Sequence, residues 1–433
     1  MQMTSRKPAN WISTALASIQ WLGFLFANTV VIPLSIGGAF HLSHAVVSGL
    51  MARSFIFTGI ACLLQAWIGH GLPIMEGQSG FWWGIILNLA NLGSATGTPL
   101  SVIGGSLAMG MVIGGGMLVV FALFGFHRWL NRLFTPMVMT VLLILLSAQL
   151  IDVFFKGALG LDNGSKVNPG IALLSLLLIV LVAGLSLFGK GLLSNLSILL
   201  GLAVGWLLFV LLIGKGSPEV VPSYAHIGQL FVLGRPAFQP AFLIAAVVAA
   251  VINMTNTVAT LRAAESVFGR ATSARKFKAS FVLTSIFTAL SGLFSLVPYA
   301  PYTSAIGFLR ATRIVHRLPF IIASILFILL GAIPTLSGLM STLPISVGDA
   351  VLFVAYLQIF GAALINLPKL EWDARNTFRL ALPVLTGLAI FALPAGVLST
   401  IPAFLQVLLG NGLLLGILLS LLLENTIHWD DVK

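Results

Sequence analysis

The residues best placed to do chemistry lie where an apolar chain interrupts itself. Between Gly292 and Arg313, Pro298 and Pro301 each lack the N–H a helix needs, and each disfavours helical dihedrals in the residue before it. The run from Val297 to Pro301 therefore reads as extended backbone, with Tyr302, Thr303 and Ser304 opening a half-helix whose first N–H groups have no partner within the helix. Those N–H groups, at the positive end of the helix dipole and beside the Thr303 and Ser304 hydroxyls, either bind a small polar solute or serve only to cap their own helix. A second stretch, Met75 to Phe81, carries Glu76, Gln78 and Ser79 among glycines. Glu76 is the one carboxylate this pattern puts at membrane depth beside an interrupted segment. A group there that alternates between acid and carboxylate is a candidate proton carrier. Its other uses are as a cap nearer the surface or as balance for a basic side chain. Neither stretch offers covalent chemistry, and the chain has no phosphate-cradling Gly-Lys-Ser/Thr loop. His41 and His44 have ligand-like spacing but sit in an outer loop without a third partner, so no metal is expected.

The elements that must hold these stretches are membrane spans. Hydrophobic residues make up 58% of the 433 and charged residues 8%, with a mean hydropathy of +1.08, a composition that leaves no soluble surface. Lys and Arg number 22 against 11 Asp and Glu. Without a basic face interleaved with aromatics, that excess points to membrane topology and not to nucleic acid. The eleven acids form no intramembrane cluster of the kind a metal-dependent membrane enzyme needs. The lone Cys62 rules out an internal disulfide and reads as a small packing residue. Arg6 and Lys7 precede an apolar run with no small-residue cleavage site, so the first span is expected to stay as an anchor.

Apolar runs, all but the short 74–90 and 302–313 long enough for about 30 Å of hydrocarbon, fall at 11–36, 46–69, 74–90, 99–124, 133–155, 171–188, 191–213, 237–263, 277–294, 302–313, 318–340, 345–367, 377–396 and 401–424. With the N-terminus in the cytoplasm, 17 basic residues lie inside: Arg6, Lys7, Arg128, Arg132, Lys190, Arg262, Arg270, Arg275, Lys276, Lys278, Arg310, Arg313, Arg317, Lys369, Arg375, Arg379 and Lys433. Only Lys156, Lys166, Lys215 and Arg235 lie outside, and Arg53, within the second span, is expected to snorkel outward. The short third and tenth runs hold matching places in two sets of seven. Because seven is odd, the second set is inverted relative to the first, with 214–236 (Pro218, Pro222, Pro236) as connector. Inversion brings the two interrupted stretches tip to tip near the midplane, where transporters of this design bind solute. The fold class expected is thus an all-α polytopic membrane protein of 14 segments in two inverted repeats, with short broken segments 3 and 10.

Several motifs resemble the nucleobase/ascorbate transporter family, which includes bacterial uracil and xanthine permeases. Gln20 and Trp21 followed by Asn28, Thr29, Val30, Val31, Ile32, Pro33 and Leu34 resemble its first helix. Gly77, Ser79, Gly80 and Phe81 resemble the strand opening its third segment, and Gly292, Pro298, Tyr302, Gly307, Thr312 and Arg313 its tenth. Leu343, Pro344, Val347 and Gly348 resemble the start of its twelfth. The resemblance implies a core domain (1–132 and 237–343) moving against a gate domain (133–236 and 344–433), often in a homodimer. It also implies a nucleobase held between segments three and ten, with H⁺ or Na⁺ as coupling ion and no other cofactor. Three ionisable groups of the family pattern are replaced here, a Glu of segment eight by Asn253, a Glu of segment ten by Ser304, and a His of segment one by Trp21.

A nucleobase is a flat ring edged with donors and acceptors, so it calls for complementary hydrogen bonds and an apolar or aromatic sandwich. The substrate-binding set expected is Ser79, Gly80, Phe81, Asn253, Tyr302, Thr303 and Ser304, with Glu76 as ion-coupling candidate. Asn253 offers a donor and an acceptor, for an amide edge of the base or for an interhelical bond, and Asn256 lies nearly one turn on. Phe81, Trp82, Trp83, Tyr299 and Tyr302 either stack on the ring or pack in the core. The function expected is import of uracil, xanthine or a related purine across the inner membrane, with both termini cytoplasmic. The alternative is transport of an anion by the same fold, since half-helix N-termini bind anions readily.

Overall fold

The computed structural model describes residues 11–125, 133–161, 166–190, 192–214, 226–364, 373–394, 397–398, 400–402, 405–406, 409–427 and 429. Arg6, Lys7, Arg128, Arg132, Lys215, Pro218, Pro222, Lys369 and Lys433, used above for orientation and for the connector, lie outside the described residues. The first half runs α1 (Trp11–Ala27), α2 (Val31–Ala39), α3 (His44–Trp67), β1 (Glu76–Gln78), α4 (Gly80–Thr96), α5 (Leu100–Leu123), α6 (Pro136–Ala158), α7 (Pro169–Phe188), α8 (Leu192–Asn195) and α9 (Ser197–Leu212). The second runs α10 (Pro240–Phe268), α11 (Ala274–Phe294), β2 (Tyr299–Pro301), α12 (Ser304–Thr312), α13 (Arg317–Ala332), α14 (Pro334–Met340), α15 (Ile345–Leu364), α16 (Ala374–Phe391) and α17 (Gly412–Thr426). Among the described residues seven helical stretches are long and apolar enough to cross a bilayer, and α13 with α14 makes an eighth if the pair is one span. The protein is a multi-pass helical membrane protein.

Local chemistry sets where the helices begin and end. Proline at the first position opens α6, α7 and α10, where its missing N–H costs nothing. Thr135 and Asn168 cap the first two of these from the side chain. Two spans expected to be continuous are interrupted. The first breaks at Asn28–Val30, where Asn28 Nδ2 donates to the Phe24 carbonyl at 2.8 Å and Thr29 Oγ1 to the Leu25 carbonyl at 2.8 Å. Pro33, just inside α2, cannot return a bond to Thr29. The eleventh turns by 90° between α13 and α14, at the residue before Pro334.

The helices pack in a two-fold pattern. Helix α3 lies on α13 as α11 lies on α5, and α1 lies on α13 as α10 lies on α5. Among the remaining helices, α7 lies on α15 as α16 lies on α6, α9 on α15 as α17 on α6, and α6 meets α15 directly. Strands β1 and β2 are each other's counterparts and run antiparallel. The operation that exchanges the halves therefore reverses chain direction, which makes the second half an inverted copy of the first. Glycine permits the closest approaches within this frame. A Cβ on Gly115 of α5 would meet the Ser285 carbonyl oxygen of α11 at 2.8 Å.

Arg53 does not snorkel. It is fully buried on α3, where its guanidinium donates to the Gln229 carbonyl of the inter-half connector. That segment folds inward, Phe231 N donating to Leu293 O at 3.0 Å and Leu233 N to Ser295 Oγ at 3.3 Å. A backbone acceptor has thus come to one nitrogen of the arginine, while Nε and Nη2 stay buried without a partner.

Candidate functional site

The two interrupted stretches meet. Glu76 faces Pro301, Gly77 faces Ala300 and Gln78 faces Tyr299 in a short antiparallel ladder. The ladder is extended at its two ends by Ser79 N to Pro298 O at 2.8 Å and Tyr302 N to Met75 O at 2.9 Å. From this junction α4 and α12 lead away, so two half-helix N-termini, each with unspent N–H groups and positive dipole ends, open at the same place. The prolines that keep Val297–Pro301 out of a helix are what make the ladder available.

Helix α10 holds the junction from behind. Asn253 Nδ2 donates to the Tyr299 carbonyl at 2.8 Å, and its Oδ1 accepts from Ser79 Oγ at 2.7 Å and from Asn256 Nδ2 at 3.1 Å. One buried amide thus ties both broken stretches to α10. Two turns on, Thr260 Oγ1 lies 3.1 Å from the Pro301 carbonyl and 2.8 Å from Thr303 Oγ1. From the opposite side the Tyr302 hydroxyl donates to the Gln78 carbonyl and reaches Asn28 O at 3.3 Å, the carbonyl left over at the break in the first span. Gly77 is obligatory beneath that ring, since a Cβ there would lie 2.9 Å from Tyr302 Cε2 and 2.6 Å from Met75 Cε.

Over residues 12–396 the chain matches the Xan_ur_permease model, described as a permease family. The chain belongs to that family. It is 29% identical over 427 residues to YwdJ of Bacillus subtilis, provisionally assigned as a purine permease, with 96% of each chain covered. It is 24% identical over 423 residues to the uric acid permease PucK of the same organism, covering 96% of this chain and 95% of that one. Among solved structures it superposes on the transmembrane domain of the cyanobacterial bicarbonate transporter BicA with a TM-score of 0.62 at 17% identity, over 94% of this chain and 97% of the other, a likeness of fold. The protein is a transporter and not an enzyme.

Within this permease the two half-helices are not equally covered. On α4, a Cβ on Gly80 would lie 3.1 Å from the Tyr356 hydroxyl of α15, and Gln149 Nε2 of α6 donates to the Gly84 carbonyl at 2.7 Å. Trp83 packs on Phe154 with ring centroids 5.1 Å apart and donates Nε1–H to Ser35 Oγ at 2.7 Å. The matching face of α12, formed by Thr303, Ser304, Gly307 and Arg310, is exposed.

The residues singled out in the sequence thus occupy three settings. Thr303 and Ser304 are open, Gly80, Tyr302 and Asn256 are half-buried beside the junction, and Ser79, Phe81 and Asn253 are buried. Glu76 is fully buried on the far side of the ladder, among α3 and α11, where its Oε1 accepts from Thr284 Oγ1 at 2.6 Å. Cys62 packs against the Glu76 backbone at 3.4 Å. Trp21, in place of the family histidine, is buried against Phe308 and Phe320, with centroids 4.4 and 4.9 Å away. Sequence reasoning passed over Gln149 and Tyr356, which come from helices distant in the chain, and Asp349, a second buried carboxyl on α15. A signal existed: the chain has four tyrosines, and three of them, Tyr299, Tyr302 and Tyr356, stand at or beside the junction.

Proposed function

We propose that this permease imports a nucleobase, a purine of the xanthine or uric acid kind, across the cytoplasmic membrane, with both termini inside. The observation that carries the reading is the meeting of two half-helix N-termini around one antiparallel ladder, in a chain of the permease family. Such a site supplies backbone N–H donors and hydroxyls to the acceptor-rich edge of an oxidised purine. Asn253 and Ser304 stand where the family pattern has carboxylates, and a site with those charges removed suits an electron-rich or anionic ring. Thr303 and Ser304 would meet the ring edge from α12, Gly80 lets it approach the backbone of α4, and Tyr356 and Trp83 form an aromatic wall. Asn253 would act as the positioning residue that fixes Ser79 and Tyr299 relative to one another.

In this reading segments one to four and eight to eleven form a core, and the remaining six form a gate. Transport is movement of the core against the gate. The covered face of α4 and the exposed face of α12 correspond to a state open toward the end bearing Arg310 and Arg313, the cytoplasmic end by the distribution of basic residues. Coupling to protons through Glu76 belongs to the same proposal. Its carboxyl is fully buried, accepts from the Thr284 hydroxyl and takes part in none of the ion pairs among the described residues.

Uptake of labelled uric acid, xanthine, hypoxanthine and uracil in cells stripped of other permeases tests the reading, with bicarbonate and sulfate as competitors and an uncoupler as control. Saturable, uncoupler-sensitive uptake of a purine is the expected result. Uptake blocked by bicarbonate or sulfate and by no base would overturn it in favour of an anion carrier, the cargo named for the structural neighbour BicA.

A further inference from the structure

We propose that Glu76 exchanges its proton with one side of the membrane through a buried polar track along α11, entered from a cavity at the basic end of the bundle. This rests on the proton-coupling reading above and adds the route. Lys276, Ser280 and Thr284 are spaced by four and share one face of α11. Gln65 of α3 lies across from them, its Nε2 donating to the Ser280 carbonyl at 3.2 Å and to Thr284 Oγ1 at 3.3 Å. Thr284 in turn donates to Glu76. At the other end Gly71 N donates to the Gln65 carbonyl at 2.9 Å, next to His70. His70, Glu265, Arg270, Thr272, Ser273 and Lys276 line a cavity of about 220 Å³.

Four atoms of this column are buried without a hydrogen-bond partner, namely His70 Nε2, Gln65 Oε1, Ser280 Oγ and Glu76 Oε2. Buried polar atoms are nearly always paired, so each such atom asks for a reason. Four of them, on residues that lead from the cavity lining at His70 through Gln65, Ser280 and Thr284 to the buried carboxyl, share one: the track passes protons. Ser280 and Thr284 are one turn apart, about 5–6 Å between Cβ atoms, a gap that a single water bridges. Each hydroxyl or water takes a proton on one side and gives up its own on the other, and at the end the Thr284 hydroxyl passes its hydrogen to Glu76 Oε1, where an O–H bond forms. Release is the same sequence reversed.

The charges around the track fit this use. Against Glu76 itself stand the neutral groups of Cys62, Gln65, Thr284 and Tyr299, the last with its hydroxyl 3.2 Å from Thr58 Oγ1. At the mouth are the cations Lys276, Arg270 and Arg317, with the Lys276 and Arg317 head groups 3.1 and 3.4 Å from where a Cβ on Gly71 would sit. The one carboxylate there, Glu265, is occupied by the Thr272 N–H at 2.8 Å and by Arg262 at 3.6 Å. His70 Nδ1 accepts from Leu72 N at 3.0 Å, which leaves the ring hydrogen on Nε2. A cationic mouth disfavours a positive charge resting inside the track, so a proton is either held at Glu76 or discharged. The exposed face of α12 opens toward the same basic end, so substrate and proton would leave together.

The test uses the full-length protein in liposomes containing a pH dye, with labelled uric acid or xanthine as probe. Proton influx coupled to uptake is read beside gradient-free counterflow for Glu76→Gln, Ser280→Ala, Ser280→Thr and Gln65→Leu. The track predicts that Ser280→Ala and Gln65→Leu slow coupled proton influx by about 100-fold, the low end for a positioned proton-transfer group, while counterflow continues. Ser280→Thr, which keeps a hydroxyl, restores the influx. If Glu76→Gln abolishes accumulation but Ser280→Ala and Gln65→Leu leave proton influx unchanged, the track is wrong and coupling through Glu76 stands. Accumulation and proton influx undiminished in Glu76→Gln would remove the coupling reading and the track with it. Counterflow lost in both Ser280→Ala and Ser280→Thr would mark the position as structural and overturn its role in the route.

Discussion

Replacing Asn253 by alanine separates a scaffold role from substrate contact, because every polar atom of the amide is already engaged. The change deletes three hydrogen bonds, to Tyr299 O, Ser79 Oγ and Asn256 Nδ2. Hydrogen bonds between membrane helices contribute about 0.6 kcal/mol on average and up to about 1.7, so the loss amounts to about 2–5 kcal/mol. The upper part of that range applies because Ser79 and Tyr299 are buried and their orphaned groups find no water. Thermal unfolding of the purified protein in detergent should therefore shift down by several degrees. Uptake should lose turnover, since the ladder that sets the two half-helix tips then keeps only Thr260 as its side-chain tie to α10. KM for the remaining uptake should stay within about twofold, as expected of a group the substrate does not touch. An unshifted melting temperature with KM raised about tenfold, equivalent to about 1.4 kcal/mol of binding, would refute the scaffold role and return Asn253 to the substrate.

Gln149→Leu removes the polar tie from α6 to the Gly84 carbonyl. At about 0.6–1.7 kcal/mol, its loss should shift the population toward the opposite-facing state by about 3- to 20-fold. Thiol labelling of Ser304→Cys in a Cys62→Ala background should slow by up to that factor, and unchanged labelling would show that α4 is not held there. Ser304→Glu places a carboxylate at an exposed half-helix start, where the dipole favours it by about 0.3–1 kcal/mol but where an anionic ring is repelled. Competition assays should show uric acid losing potency and a neutral base such as uracil gaining it, whereas identical inhibition profiles would place Ser304 outside the site. Arg379 pairs with Glu424 through Nε at 2.6 Å and Nη2 at 2.7 Å, and the carboxylate is 3% exposed. Glu424→Gln should destabilise the protein by about 3 kcal/mol, near the low end for a broken buried pair because Arg379 reaches solvent, and a melting temperature equal to wild type would deny the clamp.

What the sequence made legible was whatever the chain states locally. Proline spacing at Pro298 and Pro301 was enough to break a helix, and the odd number of apolar runs per half was enough to invert the repeat. Together these anticipated the pairing of two stretches more than two hundred residues apart. Glu76 was visible as an acid between apolar residues, but not the direction it faces. That depends on strand alternation about Gly77 and on Thr284, which reaches it from another helix. Arg53 was misread because its partner is the Gln229 carbonyl, and a backbone acceptor leaves no mark in composition. Gln149 and Tyr356 stayed hidden for a related reason. A polar residue in an apolar run announces a partner without saying which helix supplies it. The interruption at Asn28–Val30 and the bend at Ile333–Pro334 were within reach, each carrying a side-chain donor or a proline that competes with the helix, but apolar length alone read through them.

The two-fold arrangement also explains why departures from it carry meaning. Helices deep in each set repeat their neighbours faithfully across the halves, since those packings are fixed by residues such as Gly115 that leave no room to shift. The symmetry fails where α4 and α12 meet what surrounds them. Gly80, Trp83 and Gly84 are covered by Tyr356, Phe154 and Gln149, whereas Thr303, Ser304 and Gly307 are open. The two half-helices also differ in length, 17 residues against 9, and in the proposed reading their unequal cover marks the conformational state. Exchanging the roles of the halves would cover α12 and open α4 at the other end. In the proposed cycle β1 and β2 would remain bonded, because Asn253, Thr260 and Tyr302 fasten the ladder to α10 and to the break in the first span. Under the proposed core-against-gate movement, a solute bound at the ladder would travel with it, and the covering helices would decide which side of the membrane it meets.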